Sequence, residues 1–260
     1  MKCLALLLGF TLACSTDTFT GPDGATADGG SDGLSGDSGG SCETPASCPP
    51  NAQCSTFDGT DKSIAPFSNI SQNGGNVTFE SDVVVTCPQA LVAFSAASTA
   101  TNPSLGGIGS TGQLNIPSAV AHARVELDVI LPKNPTGSAA FLFMYPNTDA
   151  MHGVGLVWSG GTWLVHNAVT NDDNTISPRT DAWNHIALDV KFSASGGTGM
   201  IELDYIDANG KPQTSTMPHT TLSGTVPTVS SITFGAGVIP TGGTSGPMTM
   251  HIDDVVFEPF

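Results

Sequence analysis

Trp183-Asn184-His185-Ile186-Ala187-Leu188-Asp189-Val190-Lys191-Phe192 and, after Ser195-Gly196-Gly197, Met200-Ile201-Glu202-Leu203-Asp204-Tyr205-Ile206 both alternate apolar and polar side chains. A period of two marks a strand with one face buried, because successive side chains leave the pleated backbone on opposite sides. The glycine-rich interruption is turn chemistry, so the two runs read as a β-hairpin. Matching the apolar faces sets Phe192 opposite Ile201 and Val190 opposite Leu203. On the outer face it sets Lys191 against Glu202 and Asp189 against Asp204. Two facing carboxylates either stay solvated and apart or hold a cation, and solvation is the default.

Further runs on both sides share this grammar. Val77–Glu80, Val83–Thr86, Leu91–Ala96, Ala123–Leu131, Ala139–Tyr145, Gly153–Trp158, Thr162–Asn167, Ser231–Phe234 and Met248–Phe257 read as strands. Pro132-Lys133-Asn134-Pro135, Ser159-Gly160-Gly161 and Asp207-Ala208-Asn209-Gly210 punctuate them as turns. No stretch sustains a helical period. Many short strands at this spacing predict an all-β, two-sheet antiparallel sandwich over residues 56–260.

Composition narrows the function classes. The 260-residue chain has 23 acidic and 7 basic residues, a formal net charge of −16. Nucleic acid is excluded as a partner, since binding its phosphates needs clustered Lys and Arg. The cations here are scattered singly.

The first 41 residues read as export and tether. Met1-Lys2 and the apolar run Cys3 to Phe10 form a short leader, well below the about 20 residues of a bilayer-spanning helix. Thr11-Leu12-Ala13-Cys14 resembles the lipobox of bacterial lipoproteins. That resemblance implies removal of residues 1–13, lipidation of Cys14 and anchoring in a membrane outside the cytoplasm. Ser15 after the Cys implies outer-membrane sorting. Residues 14–41 are Gly, Ser, Asp and Thr with almost nothing to bury, the composition of a disordered linker. Such a coil reaches about 25–30 Å, enough to hold a domain clear of a membrane. Asp23, Asp28, Asp32 and Asp37 within it are expected to be solvated.

Residues 42–55 form a Cys- and Pro-rich lead-in. Cys42, Cys48, Cys54 and Cys87 remain after the leader and the lipidated Cys are set aside. An even number in an exported chain points to disulfides, and four Cys allow three pairings. Cys42–Cys48 and Cys54–Cys87 is the favoured set, the second bridge stapling the domain's N-terminal edge. Zinc is disfavoured, because neither a C-x-x-C nor a paired His accompanies these Cys.

Within the sandwich, Trp183-Asn184-His185 opening one strand, the partner strand closing on Asn209-Gly210, and His251-Ile252-Asp253-Asp254-Val255-Val256-Phe257 resemble concanavalin A-like (laminin G-like) jelly rolls. The resemblance implies a fold that hosts lectins, adhesion modules, glycanases and lyases, so it does not choose a function. Glycanases of this fold carry a Glu-x-Asp-x-(x)-Glu strand. Glu126 and Asp128 match its first two carboxylates, but Ile130 and Leu131 stand where the proton donor belongs. Without that acid the leaving oxygen is not protonated, and no catalytic residue is assigned beyond the Glu126/Asp128 alternative.

Two binding expectations complete the reading. Tyr145, Trp158, Trp163, His166 and Asn167 cluster around the Ser159-Gly160-Gly161 turn, offering ring faces for sugars and polar groups for hydroxyls; a core role for the tryptophans is the competing assignment. Asp172, Asp173 and Asn174, with Asn171, form a predicted loop of hard oxygen donors suited to calcium, with Asn147 and Asp149 in another, a polar turn being the competing assignment. Calcium is the one cofactor expected, if any. The favoured function is a non-catalytic, lipid-anchored surface module that binds a glycan or other cell-surface ligand. A divergent glycoside hydrolase or lyase and a structural envelope spacer are the alternatives.

Overall fold

The computed structural model describes residues 47–57, 64–70, 73–86, 89–97, 104–111, 122–146, 153–168, 170–193, 199–219, 229–239 and 245–260. The leader, Cys14, the 14–41 linker, Cys42, Cys87, Asn147 and Asp149 lie outside the described residues. The strands are β1 (Gln53–Ser55), β2 (Ser68–Asn69), β3 (Asn76–Glu80), β4 (Ala90–Ser95), β5 (Ser104–Thr111), β6 (His122–Ile130), β7 (Ser138–Pro146), β8 (Val154–Ser159), β9 (Thr162–Asn167), β10 (Asp172–Ile176), β11 (Trp183–Lys191), β12 (Gly199–Ile206), β13 (Pro212–His219), β14 (Val229–Ile239) and β15 (Met248–Pro259).

They form two antiparallel sheets, as expected. One runs β13-β12-β11-β6-β15-β4-β3, with β1 also paired to β15; the other runs β10-β9-β8-β7-β14-β5-β2. β6 shows why the sheets face each other: Ala123, Val125, Leu127 and Val129 are buried, and the residues between them are half-exposed. Ile186, Leu188, Val190, Ile201, Leu203, Ile252 and Phe257 join them from one sheet, and Phe141, Leu156, Trp163, Val165 and Phe234 from the other. Burying each such side chain contributes roughly 1.5–3 kcal/mol.

The β11–β12 hairpin forms, but two residues out of the expected register. Val190 faces Ile201, Leu188 faces Leu203, Asp189 faces Glu202 and Asp204 faces Ala187. A slip of two keeps every side chain on its face, so alternation alone cannot detect it. The turns behave as their chemistry requires. Gly160 and Gly161 both take positive φ in the two-residue β8–β9 turn, which splayed L-residues would resist. In the next turn Asp207 accepts from the backbone N–H groups of Asn209 and Lys211, which holds its carboxyl below the usual range.

Three other expectations are corrected. Cys48 bonds to Cys54, which excludes both Cys42–Cys48 and Cys54–Cys87. The lead-in contributes β1, whose pairing with β15 places Cys54 opposite Val256 and turns the chain back on Cys48. Val83–Thr86 is not a strand of either sheet; a side chain, Asp253, takes its N–H groups in place of a partner strand. Asp172–Asn174 is not a loop but the start of β10, at the edge of the seven-stranded sheet.

Glycine-rich β5 escaped the sequence reading for a steric reason. A Cβ on Gly106 would lie 1.8 Å from the carbonyl oxygen of Phe94 and 2.5 Å from that of Asn76. The sheets approach so closely here that only hydrogen fits.

Candidate functional site

Among the described residues a polar array covers the face of the eight-stranded sheet that points away from the core. β6 starts it: with Val125, Leu127 and Val129 inward, alternation sends Arg124, Glu126 and Asp128 outward. On β11, His185 stands opposite Asp128, Ala187 opposite Glu126 and Asp189 opposite Arg124. β12 then adds Glu202 and Asp204, and β13 adds Thr214 opposite Asp204.

These groups are tied to one another. Arg124 Nε donates to Glu126 Oε1 at 2.5 Å, and Arg124 Nη2 lies 3.6 Å from Asp204 Oδ2. The small side chain of Ala187, between Glu126 and Asp204 in the register, leaves room for that reach. His185 Nδ1 lies 3.2 Å from Asp128 Oδ1, and its Nε2 lies 3.8 Å from Glu126 Oε2. His122 Nε2 lies 2.8 Å from Asp189 Oδ1. Thr214 Oγ1 donates to Asp204 Oδ1 at 2.6 Å.

The hydrogen bond to Asp128 raises the His185 pKa above its ordinary value, helped by the charges of Asp128 and Glu126 and opposed by partial burial. Cationic His185 therefore persists to higher pH than a free histidine. Its bond to Asp128 stabilises the fold fully below the unfolded pKa and loses that contribution as pH rises through the folded value. Asp128→Asn is expected to move the His185 titration downward. A His185 pKa unchanged in the variant, read from the imidazole proton shifts by NMR, would contradict the pairing.

Beside this array, His185, Asp204, Tyr205, Ile206, Pro212, Gln213 and Thr214 line an open cleft of about 310 Å³. That is at the small end of ligand sites, about 300–1,000 Å³. Ile206 and Pro212 bring apolar surface to it, and His185, Asp204, Gln213 and Thr214 bring an imidazole, a carboxylate, an amide and a hydroxyl, while the Tyr205 ring packs towards the core. This is the mixture a polyhydroxylated ring requires.

The array is closed on one side by a buried carboxylate. Asp253 on β15 is opposite Asp128 on β6, just before the bulge that separates Asp253 from Val256 in the β6 register. It has no exposed surface. Its Oδ2 accepts from the backbone N–H groups of Val85 at 2.9 Å and Thr86 at 3.0 Å, and its Oδ1 accepts from Asp254 N–H at 3.0 Å. Desolvation nevertheless pushes its carboxyl up to about 7, the donors pulling the other way and the charge of Asp254 adding to the rise. His251, on the same strand, is paired with Glu80 of β3.

The residues expected from sequence are distributed differently. Glu126 and Asp128 lie together at the centre of this array. Trp158 and Trp163 do not form a surface platform: they are 6% and 4% exposed, pack on each other at 5.5 Å, and Trp163 also packs on Phe141 at 4.5 Å. Facing each other across the β8–β9 turn, they share the inward face with Leu156 and Val165. Asn167 is fully buried. Tyr145 lies on β7, opposite Ser231 of β14. His166 is on the outer face of the other sheet, 2.7 Å from Asp173 Oδ1.

The strand geometry also separates the three residues of the expected calcium loop. As neighbours in a strand, Asp172 and Asp173 point to opposite faces. Asp172 accepts from Thr170, Asp173 contacts His166, and Asn174 donates to Ser215 Oγ at 2.8 Å. The three do not converge, and among the described residues no group of three His, Cys, Asp or Glu is arranged for a metal. Arg124, Gln213 and Thr214 were not singled out from sequence, and Asp204 and His185 were noted there only as strand residues, Asp204 in a facing carboxylate pair.

This geometry has counterparts among solved structures. Cellulose induced protein, Cip1, superposes with a TM-score of 0.55 at 14% identity, covering 79% of this chain and 96% of its own. A PL-14 alginate lyase from Aplysia kurodai gives 0.57 at 11% identity, covering 76% and 92%. The fold is a jelly roll. An endo-β-1,4-glucuronan lyase from Trichoderma reesei gives 0.52 at 12% identity over 76% and 92%. No protein-family model and no curated protein sequence matches the chain.

Proposed function

We propose that this jelly roll is a glycan-binding module whose ligand lies in the cleft beside the Arg124–Glu126–Asp128–His185 array. The observation that supports this most is the composition of that cleft. It sets the apolar Ile206 and Pro212 beside the polar groups of His185, Asp204, Gln213 and Thr214. The carbohydrate-linked names of its structural counterparts agree with it. The module is displayed outside the cytoplasm on the 14–41 linker, held through lipidated Cys14. Mass spectrometry of the native protein tests the anchor, and an unacylated N-terminus would refute it.

Binding of the full chain to a polysaccharide panel tests the site. Saturable binding to one class is expected. Asp204→Asn with Gln213→Ala is expected to weaken it about ten- to a hundredfold, the loss of one or two charge-assisted or neutral hydrogen bonds. Chelation of calcium is expected to leave it unchanged, because Asp172–Asn174 form no site. Absence of binding to every member, with the fold intact by circular dichroism, would reject the reading.

Catalysis has one observation in its favour: His185 held between Asp128 and Glu126, able to hand a proton to or from a bound sugar. The third carboxylate of the hydrolase strand pattern has no counterpart on β6. Ile130 and Leu131 follow Asp128 on its strand, and Asp253, though its carboxyl titrates near 7, is sealed from substrate under Val85 and Thr86. Release of new reducing ends or of unsaturated sugars from a bound glycan would establish the enzyme reading over the binding one.

A further inference from the structure

We propose that the glycan site runs along the outer face of the eight-stranded sheet from the cleft to a second subsite at Phe260, so that the module takes chains of several sugars in preference to short or terminal ones. This rests on the glycan-binding reading above and adds the ligand class to it. Phe260 and Met200 are the exposed large apolar side chains among the described residues, at 61% and 44%. Sheet register puts both in one row across the strands. The N–H of Phe260 donates to the His122 carbonyl at 3.0 Å, His122 is opposite Lys191 of β11, and Lys191 is opposite Met200 of β12. Pro218 of β13 continues the row beyond Met200.

The Phe260 ring is held in place while most of it faces water. It stacks on the His122 imidazole with 4.5 Å between centroids and 25° between planes, and His122 Nε2 in turn lies 2.8 Å from Asp189 Oδ1. A ring face of this kind packs against the C–H groups of a pyranose, and a ring already fixed loses little freedom when it does so. Asp189, with Glu202 opposite it on β12, and Lys191 stand beside the ring for the sugar hydroxyls. The spacing sets the ligand's length. Ala187, in the row of Asp204 and Thr214, is four residues from Lys191 along β11, and His185 is six. At about 3.4 Å per residue the platform is therefore about 14–20 Å from the cleft. A single sugar cannot touch both places, whereas a chain of several can. Once one end is bound, the other subsite is met at a high effective concentration, so affinity rises with length.

The test uses the full chain and size-fractionated oligosaccharides, disaccharide to octasaccharide, cut from cellulose, mannan, xylan and chitin and from any other panel polysaccharide that the chain retains. Within the class that binds, affinity is expected to be low and flat for the short members and to step up once the chain spans both subsites. Phe260→Ala is expected to weaken the long members about three- to tenfold, removing the step, and to leave the short ones unchanged. Phe260→Trp keeps a ring at that position and is expected to retain the step. Asp204→Asn with Gln213→Ala, in the cleft itself, is expected to weaken every length. Equal affinity for short and long members of a class that binds overturns the second subsite and leaves the cleft standing, and this ladder on the parent chain decides without any variant. A step that survives Phe260→Ala, with the variant folded by circular dichroism, also overturns it. No saturable binding of any oligosaccharide, nor of the wider panel, removes the glycan reading and the second subsite with it.

Discussion

Asp253→Ala is expected to lower the unfolding free energy by about 2–4 kcal/mol, because it removes the acceptor of three backbone donors, one buried and two half-buried, at about 1–3 kcal/mol for a buried one and less for the others. The donors are the N–H groups of Val85, Thr86 and Asp254, and the carboxylate that receives them is fully buried. A domain of this kind has about 5–15 kcal/mol in total, so the variant is expected to be partly unfolded near physiological temperature. The same group gives the fold a pH signature. Its carboxyl is pushed up to about 7 in the folded chain from an ordinary 3.8, so between those limits the folded state holds a proton that the unfolded chain has released. Its contribution to stability is therefore present at low pH and lost as pH rises through about 7. Asp253→Asn cannot ionise, so its urea midpoint is expected to vary less than the parent's between about pH 5 and about pH 8. A parent whose stability shows no decline attributable to Asp253 over that span, judged by difference from the Asn variant, would contradict this assignment. The buried bonds and the raised pKa are independent claims, and the Ala and Asn variants separate them.

Trp163→Ala is expected to cost about 3–5 kcal/mol, the range for removing a buried aromatic. The ring packs against Phe141 and Trp158 within the hydrophobic core. Thermal unfolding should show the loss, and glycan affinity measured on the remaining folded protein should stay unchanged. The opposite pattern, native stability with abolished glycan binding, would return Trp163 to the surface role that its position beside a glycine turn first implied. Unlike the Asp253 effect, this one should be insensitive to pH, since no titrating group is removed.

The architecture was legible where alternation was complete. β6, β11 and β12 each declare a buried and an exposed face in the sequence, and β9 was placed to the residue. β5 and β13 were not legible, because glycine in one and polar residues between two prolines in the other carry no apolar period. β13 tolerates Pro212 and Pro218 because it is an edge strand with one side unpaired. β8 misled for the opposite reason: Val154-Gly155-Leu156-Val157-Trp158 is apolar throughout, so nothing in it says which face Trp158 takes. Once the two-residue turn puts Trp158 opposite Trp163, both must share the face of Leu156 and Val165.

The candidate site was half legible. Glu126 and Asp128 stand out as carboxylates on one strand face. Their partners come from β11, β12 and β13, tens of residues later in the chain, and only sheet order makes them neighbours. A slip of two between β11 and β12 would have placed Asp204 opposite Asp189, carboxylate against carboxylate, in place of its position opposite Ala187.

By itself, the sequence determined the fold class, the faces of the regular strands and the positions of the tight turns. All of these depend on local spacing and composition, which the chain carries at every point. The tertiary structure alone decided strand order, register, the Cys48–Cys54 pairing, the burial of both tryptophans and the seat of Asp253. Those depend on contacts between segments far apart in the chain, where a shift of two residues preserves every local rule and changes which charges meet.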